Sequence, residues 1–167
     1  MDLALVGVMA ASIEVAKLLL AAIPNVEAVS LLIALYSYTF SKRGLFATLV
    51  FVSVEPLIWG INTWVISYFI YWPLLSIVFI LLGKLKVKNR FVIAAISVFM
   101  TVFFGVMSAF VDIGIFSGSY DDLMYRFAVY YGRGVAFYVI HVVSNALIFP
   151  LLFPYCQKKL ALIAKNL

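Results

Sequence analysis

Five side chains are candidates for chemistry because they are polar and lie in stretches that are otherwise apolar: Glu14, Lys17, Glu55, His141 and Asn145. Glu14 and Lys17 are one helical turn apart, so they share a face and can neutralise each other. His141 and Asn145 are four apart and also lie on one face. Glu55 stands just before Pro56. Polar groups in apolar surroundings are costly unless they pair, hydrogen-bond or line a polar cavity. The five are therefore expected to meet. As an acid–base couple, His141 could work with Glu14 or Glu55, but no nucleophile or metal set accompanies it. No His-Glu-x-x-His, no paired glutamates with His on one helix and no Gly-x-Ser-x-Gly occurs. Gly83-Lys84 lacks both the preceding glycine and the following Ser/Thr of a phosphate-binding loop. The chemistry these residues suit is binding, so the chain is not expected to be an enzyme. The plainer readings are a structural ion pair at Glu14–Lys17 and a packing histidine at His141.

Aromatic residues gather near the same stretches. Trp59, Trp64, Tyr68, Tyr71 and Trp72 cluster around one turn, and Tyr120, Tyr125, Tyr130 and Tyr131 follow later. Trp and Tyr form belts at membrane interfaces in any case. An aromatic wall with a few polar anchors is also what a site for a ring-bearing molecule needs. The expected ligand contacts are Glu55, Trp59, Tyr68, Tyr71, His141 and Asn145, with Glu14 and Lys17 beside them. Asp121, Asp122 and Tyr125 are expected on a loop able to close over the site.

These residues must be positioned by elements that sit in lipid. Hydrophobic residues make up 66 % of the 167, charges 11 %, and the mean hydropathy is +1.17. A soluble domain is about 45–50 % apolar and about 25 % charged. The expectation is an all-α integral membrane protein, one domain over 1–167, made of six transmembrane helices. Its spans are Leu3–Ile23, Ala28–Phe40, Leu45–Gly60, Trp64–Gly83, Phe91–Val111 and Gly134–Tyr155. Ser117–Arg133, rich in Gly, Tyr and charge, is the one long connection. The first span is not expected to be a removable signal peptide, because its leading Met1-Asp2 is acidic and Glu14 and Lys17 interrupt it. A single cysteine, Cys156, excludes an intramolecular disulfide and a cysteine metal cluster. Nor does the net charge of +5 point to nucleic acid, since no basic run alternates with exposed aromatics.

Charge sets the orientation. Nine of the 12 Lys and Arg fall in three clusters: Lys42-Arg43, then Lys84, Lys86, Lys88 and Arg90, and finally Lys158, Lys159 and Lys165. Cytoplasmic loops carry the excess of Lys and Arg. Both termini are accordingly expected in the cytoplasm, with Glu27, Asp112, Asp121 and Asp122 in or beside external segments. A re-entrant hairpin at Lys42-Arg43 would instead bring two cations near the midplane, at about 2.5–3.5 kcal/mol each.

Small residues recur on two helices: Gly7 and Ala11, flanked by Ser12 and Ala16, on the first, and Ser97, Thr101, Gly105 and Ala109 on the fifth. Close approach at small residues is a main source of helix association in lipid. On the fifth helix the expected use is packing within the bundle.

With six spans, Gly7-x-x-x-Ala11, the turn Ile23-Pro24-Asn25-Val26-Glu27, Gly44, Glu55, Gly60, Trp64 and Trp72-Pro73, the chain resembles the substrate-binding (S) components of energy-coupling factor transporters. The resemblance covers most of the chain as a pattern, without a sharp catalytic signature. It implies a vitamin pocket facing outward from a prokaryotic plasma membrane, and no cofactor or energy source of its own. The partners it implies are a transmembrane coupling (T) subunit and two ATPase subunits that use ATP, with Gly7 and Ala11 at the partner interface. The family's helix-one motif is typically Ala-x-x-x-Ala, and Gly7 here replaces the first Ala. Members that take nickel or cobalt carry a His near the N-terminus; this chain has none there, so no metal is expected. The Pro-Asn-Val-Glu turn and Trp72-Pro73 suggest cobalamin as the ligand, while queuosine precursors, pyridoxine-type vitamins and pyrimidine compounds stay open. The alternatives are a self-contained small-molecule transporter and, behind it, an intramembrane enzyme.

The charge pattern makes a direct prediction. Cysteines placed at Lys86 and at Ser119 should react with impermeant thiol reagents from opposite faces of the membrane. Reaction of both from the outside is the result that ends this topology.

Overall fold

The structure, a computed structural model, describes residues 2–21, 28–116 and 121–166. Among these, every regular element is a helix: α1 (Leu3–Leu20), α2 (Val29–Phe40), α3 (Lys42–Trp59), α4 (Thr63–Lys84), α5 (Arg90–Phe116) and α6 (Leu123–Lys165). Four of them, α1, α4, α5 and α6, are long and apolar enough to cross a membrane. The expected second and third spans are the exceptions. α2 has only 12 residues, and the 18 of α3 include Lys42, Arg43 and Glu55. The Ile23–Glu27 turn and Ser117–Tyr120 lie outside the described residues.

Local chemistry explains the helix ends. The Asp2 carboxylate accepts a hydrogen bond from the Leu5 amide at 3.2 Å, capping the otherwise unpaired first turn of α1. α2 and α3 are separated by Ser41 alone, whose φ of 54° reverses the chain in one residue. Successive helices then run up and down. α1 and α3 are parallel, with Val6 and Ala10 by Ala47 and Lys17 by Glu55, and so are α2 and α4, whose later residues meet at Ser37–Ser76 and Tyr38–Gly83.

The basic clusters meet at one end of this bundle. Val6, Met9 and Ala10 of α1 pack with Phe40 and Ala47, and against Leu160 and Ala164 of α6. The Tyr38 hydroxyl donates to the Val87 carbonyl at 2.9 Å, bringing the α4–α5 turn to the same place. The start of α1, the α2–α3 turn, the α4–α5 turn and the end of α6 thus form a common basic end.

Two glycines allow α2 to sit at the centre. A Cβ on Gly44 would lie 2.5 Å from the Ser37 amide nitrogen, and one on Gly83 would run into the Tyr38 carbonyl oxygen. Only a residue without a side chain lets α3 and α4 approach the α2 backbone so closely. Ser37 and Ser76 reinforce the α2–α4 contact with a buried hydrogen bond of 2.7 Å.

The small residues on α5 behave as expected, with Ser97, Thr101 and Ala109 buried and Gly105 facing Tyr131 and Tyr138 of α6. On α1 the outcome is the opposite. Gly7 and Ala11 are exposed, and a Cβ on Gly7 would meet nothing within 4 Å.

One expectation is corrected. Ser117–Arg133 is not a long loop: from Leu123 the chain is already helical, and α6 continues unbroken through Lys165. Its 43 residues span roughly 64 Å, about twice the thickness of a hydrocarbon core. The first turns hold because Phe110, Phe127, Tyr131 and Tyr138 stack in sequence, with centroids 5.0, 5.4 and 5.0 Å apart.

The α2–α4 crossing gives the second prediction. Gly83→Val should lower unfolding stability in detergent by about 1–3 kcal/mol, the usual range for overpacking. Gly7→Val, where space is open, should leave the melting temperature within about a degree or two, as exposed sites do. Equal effects of the two substitutions would contradict the central position of α2.

Candidate functional site

Lys17 lies near the end of α1 that is remote from the basic end, on a helix parallel to α3. Its ammonium donates to the Glu55 carboxylate, and Glu55 is fully buried. The expected Glu14–Lys17 pair is therefore corrected: Lys17 reaches across to α3. A lysine stem is long and flexible enough to choose between helices, and the deeply buried carboxylate on α3 has the greater need of a cation. Glu14 remains close to both, its carboxyl beside that of Glu55.

Aromatic rings surround the Lys17 ammonium. Its nitrogen is 4.9 Å from the centroid of Trp64, 5.0 Å from Tyr68, 5.4 Å from Trp59 and 6.0 Å from Phe51. Rings at this range attract a cation through their quadrupoles. The wall continues edge to face: Trp59 to Trp64, Trp64 to Tyr68, and Tyr68 to Trp72 at 5.3 Å. Phe104 of α5 then joins it, 4.8 Å from Tyr71. Trp59, 44 % exposed, is the outermost member, whereas Tyr71 and Trp72 are buried.

His141 and Asn145 form a second polar group beyond this wall. The His141 Nε2 lies 3.4 Å from the Ser30 hydroxyl, and its ring lies edge-on to Phe104 with centroids 6.4 Å apart. The Asn145 amide donates to the Thr101 hydroxyl at 2.8 Å, which in turn donates to the Ser97 carbonyl at 2.9 Å. The five polar residues thus do not converge on one point. Lys17, with Glu55, meets the rings of Trp64 and Tyr68, whereas His141 meets Phe104 and Ser30, and Asn145 meets Thr101. No carboxylate reaches His141 among the described contacts, so the supposed acid–base couple is not assembled.

Hydrogen-bonding capacity is left over. Among the described residues, Trp72 Nε1, Asn145 Oδ1 and the Ser144 hydroxyl are buried without a partner, whereas the Glu14 carboxyl has that of Glu55 and the Lys17 ammonium beside it. A few such atoms are tolerated in a native protein, but each is costly and calls for an explanation. Here they come from α4 and α6: Trp72 is itself part of the aromatic wall, and Ser144 and Asn145 lie one turn along α6 from His141, which meets Phe104 of that wall. That arrangement suits a ring-bearing ligand with polar groups on its edges. Among the described residues no His, Cys, Asp or Glu group is arranged to hold a metal ion.

Asp121, Asp122 and Tyr125 are placed differently from the expected loop. Asp121 and Asp122 form a turn, with Asp122 in the left-handed region at φ 53°, and Tyr125 is exposed on the first turn of α6. A helical Tyr125 is fixed by α6 rather than free to close over the wall. Tyr120 lies outside the described residues. Sequence reasoning passed over Ser30, Phe51 and Phe104. Ser30 is one of two serines in an apolar helix, and the phenylalanines are two of 15 in the chain; neither composition nor spacing marks them.

Comparison of the chain with protein-family models, with curated proteins and with solved structures finds no match.

Lys17 and Glu55 support a double-mutant test. Lys17→Met alone strands a buried carboxylate and should cost about 3–5 kcal/mol of stability. Lys17→Met combined with Glu55→Leu should recover most of that loss, because no charge is left unpaired. Additive losses in detergent unfolding would show that the pair is not coupled.

Proposed function

We propose that the chain is the substrate-specificity component of an energy-coupling factor importer in a prokaryotic plasma membrane. In this reading all six helices cross the membrane, with both termini and the basic end on the cytoplasmic side. It binds a water-soluble, ring-bearing vitamin from outside and passes it to a complex driven by two ATPase subunits. The observation that carries the reading is the aromatic layer of Trp59, Trp64, Tyr68, Tyr71, Trp72 and Phe104 with unsatisfied polar atoms at its borders. It lies in the half of the bundle away from the basic clusters, the half that the positive-inside rule turns outward. The exposed Gly7 and Ala11 supply the second support, as a flat strip where another membrane helix can approach.

Cobalamin is the ligand we propose first, on the Pro-Asn-Val-Glu turn and Trp72-Pro73. One observation favours a smaller compound with a cationic nitrogen: four rings and Glu55 already hold the Lys17 ammonium. A pyridoxine-type or pyrimidine compound would present such an edge.

The test has two arms. Purified protein should bind one member of a vitamin panel, and Trp64→Ala or Asn145→Ala should weaken that binding roughly five- to a hundred-fold, as expected for about 1–3 kcal/mol. Gly7→Leu with Ala11→Leu should leave binding near normal but abolish ATP-dependent uptake and co-purification with the coupling subunit. Uptake into vesicles containing this chain alone would instead identify a self-contained transporter, and chemical change of the ligand an enzyme.

A further inference from the structure

The basic end carries a charge imbalance that the chain does not answer. Nine Lys and Arg gather there: Lys42, Arg43, Lys84, Lys86, Lys88, Arg90, Lys158, Lys159 and Lys165. Of the acidic side chains among the described residues, only Asp2 belongs to this end, and it is engaged as the cap of α1. Counter-charge has to come from outside the chain.

A cavity of about 510 Å³ opens at this place. Its rim holds three ammonium groups, Lys88 from the α4–α5 turn and Lys158 and Lys165 from α6. Lys158 and Lys165 are seven residues apart, so they lie on one face of α6, roughly 10 Å apart along its axis. Between them the lining is apolar, with buried Ile93 and Phe153 as the floor and the exposed Leu162 at its edge. Tyr38 braces the wall, its ring edge-on to Phe153 at 5.5 Å and its hydroxyl on the Val87 carbonyl. No carboxylate lines the cavity.

We propose that this groove binds an anionic phospholipid, with its phosphate among Lys88, Lys158 and Lys165 and the start of an acyl chain over Ile93, Phe153 and Leu162. Two features select a lipid over a free anion or a soluble partner. The cations stand at the rim while the floor is apolar, which matches a molecule charged at one end only. The groove also opens beside helices apolar enough to lie in a membrane, at the depth where basic residues meet headgroups. The inference does not depend on which vitamin, if any, the aromatic layer takes.

The experiment is native mass spectrometry of the full chain released from nanodiscs of phosphatidylglycerol mixed with phosphatidylcholine. Phosphatidylglycerol should be retained in preference. Lys88→Gln, Lys158→Gln and Lys165→Gln together should weaken its retention about a hundred-fold, from about 1 kcal/mol per cation. A control that removes the same charge outside the groove, Lys42→Gln, Lys84→Gln and Lys86→Gln, should change retention less than threefold. Ala161→Trp, which fills the groove and alters no charge, should also displace the lipid. Equal retention of the two lipids, an equal loss in the control, or displacement by inorganic phosphate alone would overturn the proposal. So would crosslinking from a photoreactive group at Ala161 to a second copy of the chain instead of lipid.

Discussion

A part-buried lysine paired with a fully buried glutamate fixes the depth of α1 against α3, and the other helices pack around that pair. Moving a single such ion from water into an apolar interior costs of the order of 20 kcal/mol in the idealised limit. Parting Lys17 from Glu55 would leave the buried carboxylate without its cation, which opposes sliding of α1 along α3. The pairing works because the two helices start at the same end. Lys17 lies about 21 Å along α1 from Leu3, and Glu55 about 20 Å along α3 from Lys42. Measured the same way from the basic end, Phe104 is about 21 Å along α5, Trp72 about 18 Å along α4 and Asn145 about 20 Å back from Lys158. Polar and aromatic residues from five helices thus share one level.

That level has a consequence for binding. Charged groups meet the Trp64–Tyr68 end of the aromatic wall and neutral hydrogen-bonding groups lie near its Phe104 end. A ligand at the first end would meet Glu55 and Lys17, and one at the second His141 and Asn145. Specificity in such sites comes from a few buried polar groups left unpaired until the right partner arrives. The leftover atoms at Trp72 and Asn145 have this character.

Much of this was legible in the sequence, where one residue type carried one constraint. The helices followed from continuous apolar runs, and the common basic end from the grouping of Lys and Arg. The polar residues and the rings Trp59 to Trp72 were identified because lipid-facing helices leave few reasons for them. Pairing was less legible. Spacing along a helix favours Glu14 for Lys17, but spacing knows nothing of α3, and the lysine follows the more deeply buried carboxylate. Residues Leu123–Arg133 were misread for another reason: Tyr, Gly and charge lower hydropathy without forbidding a helix. A stack of rings from Phe110 to Tyr138 holds that segment helical once α5 stands beside it.

The two small-residue stripes show where pattern ends and packing begins. Both have the four-residue period that lets helices approach closely. On α5 the stripe is consumed by α6, whose Tyr131 and Tyr138 rings lie against Gly105. On α1 the inward face is occupied by Val6, Met9, Ala10 and Ile13, so Gly7 and Ala11 are turned outward. Contacts made by the other face, not the stripe itself, decide which role each plays. Lys17 lies on the same helix as Gly7 and Ala11, about 9 Å beyond Ala11 along its axis. Lys17 stays with Glu55, so α1 is held at one depth against α3 while its stripe of small residues remains open on the other face.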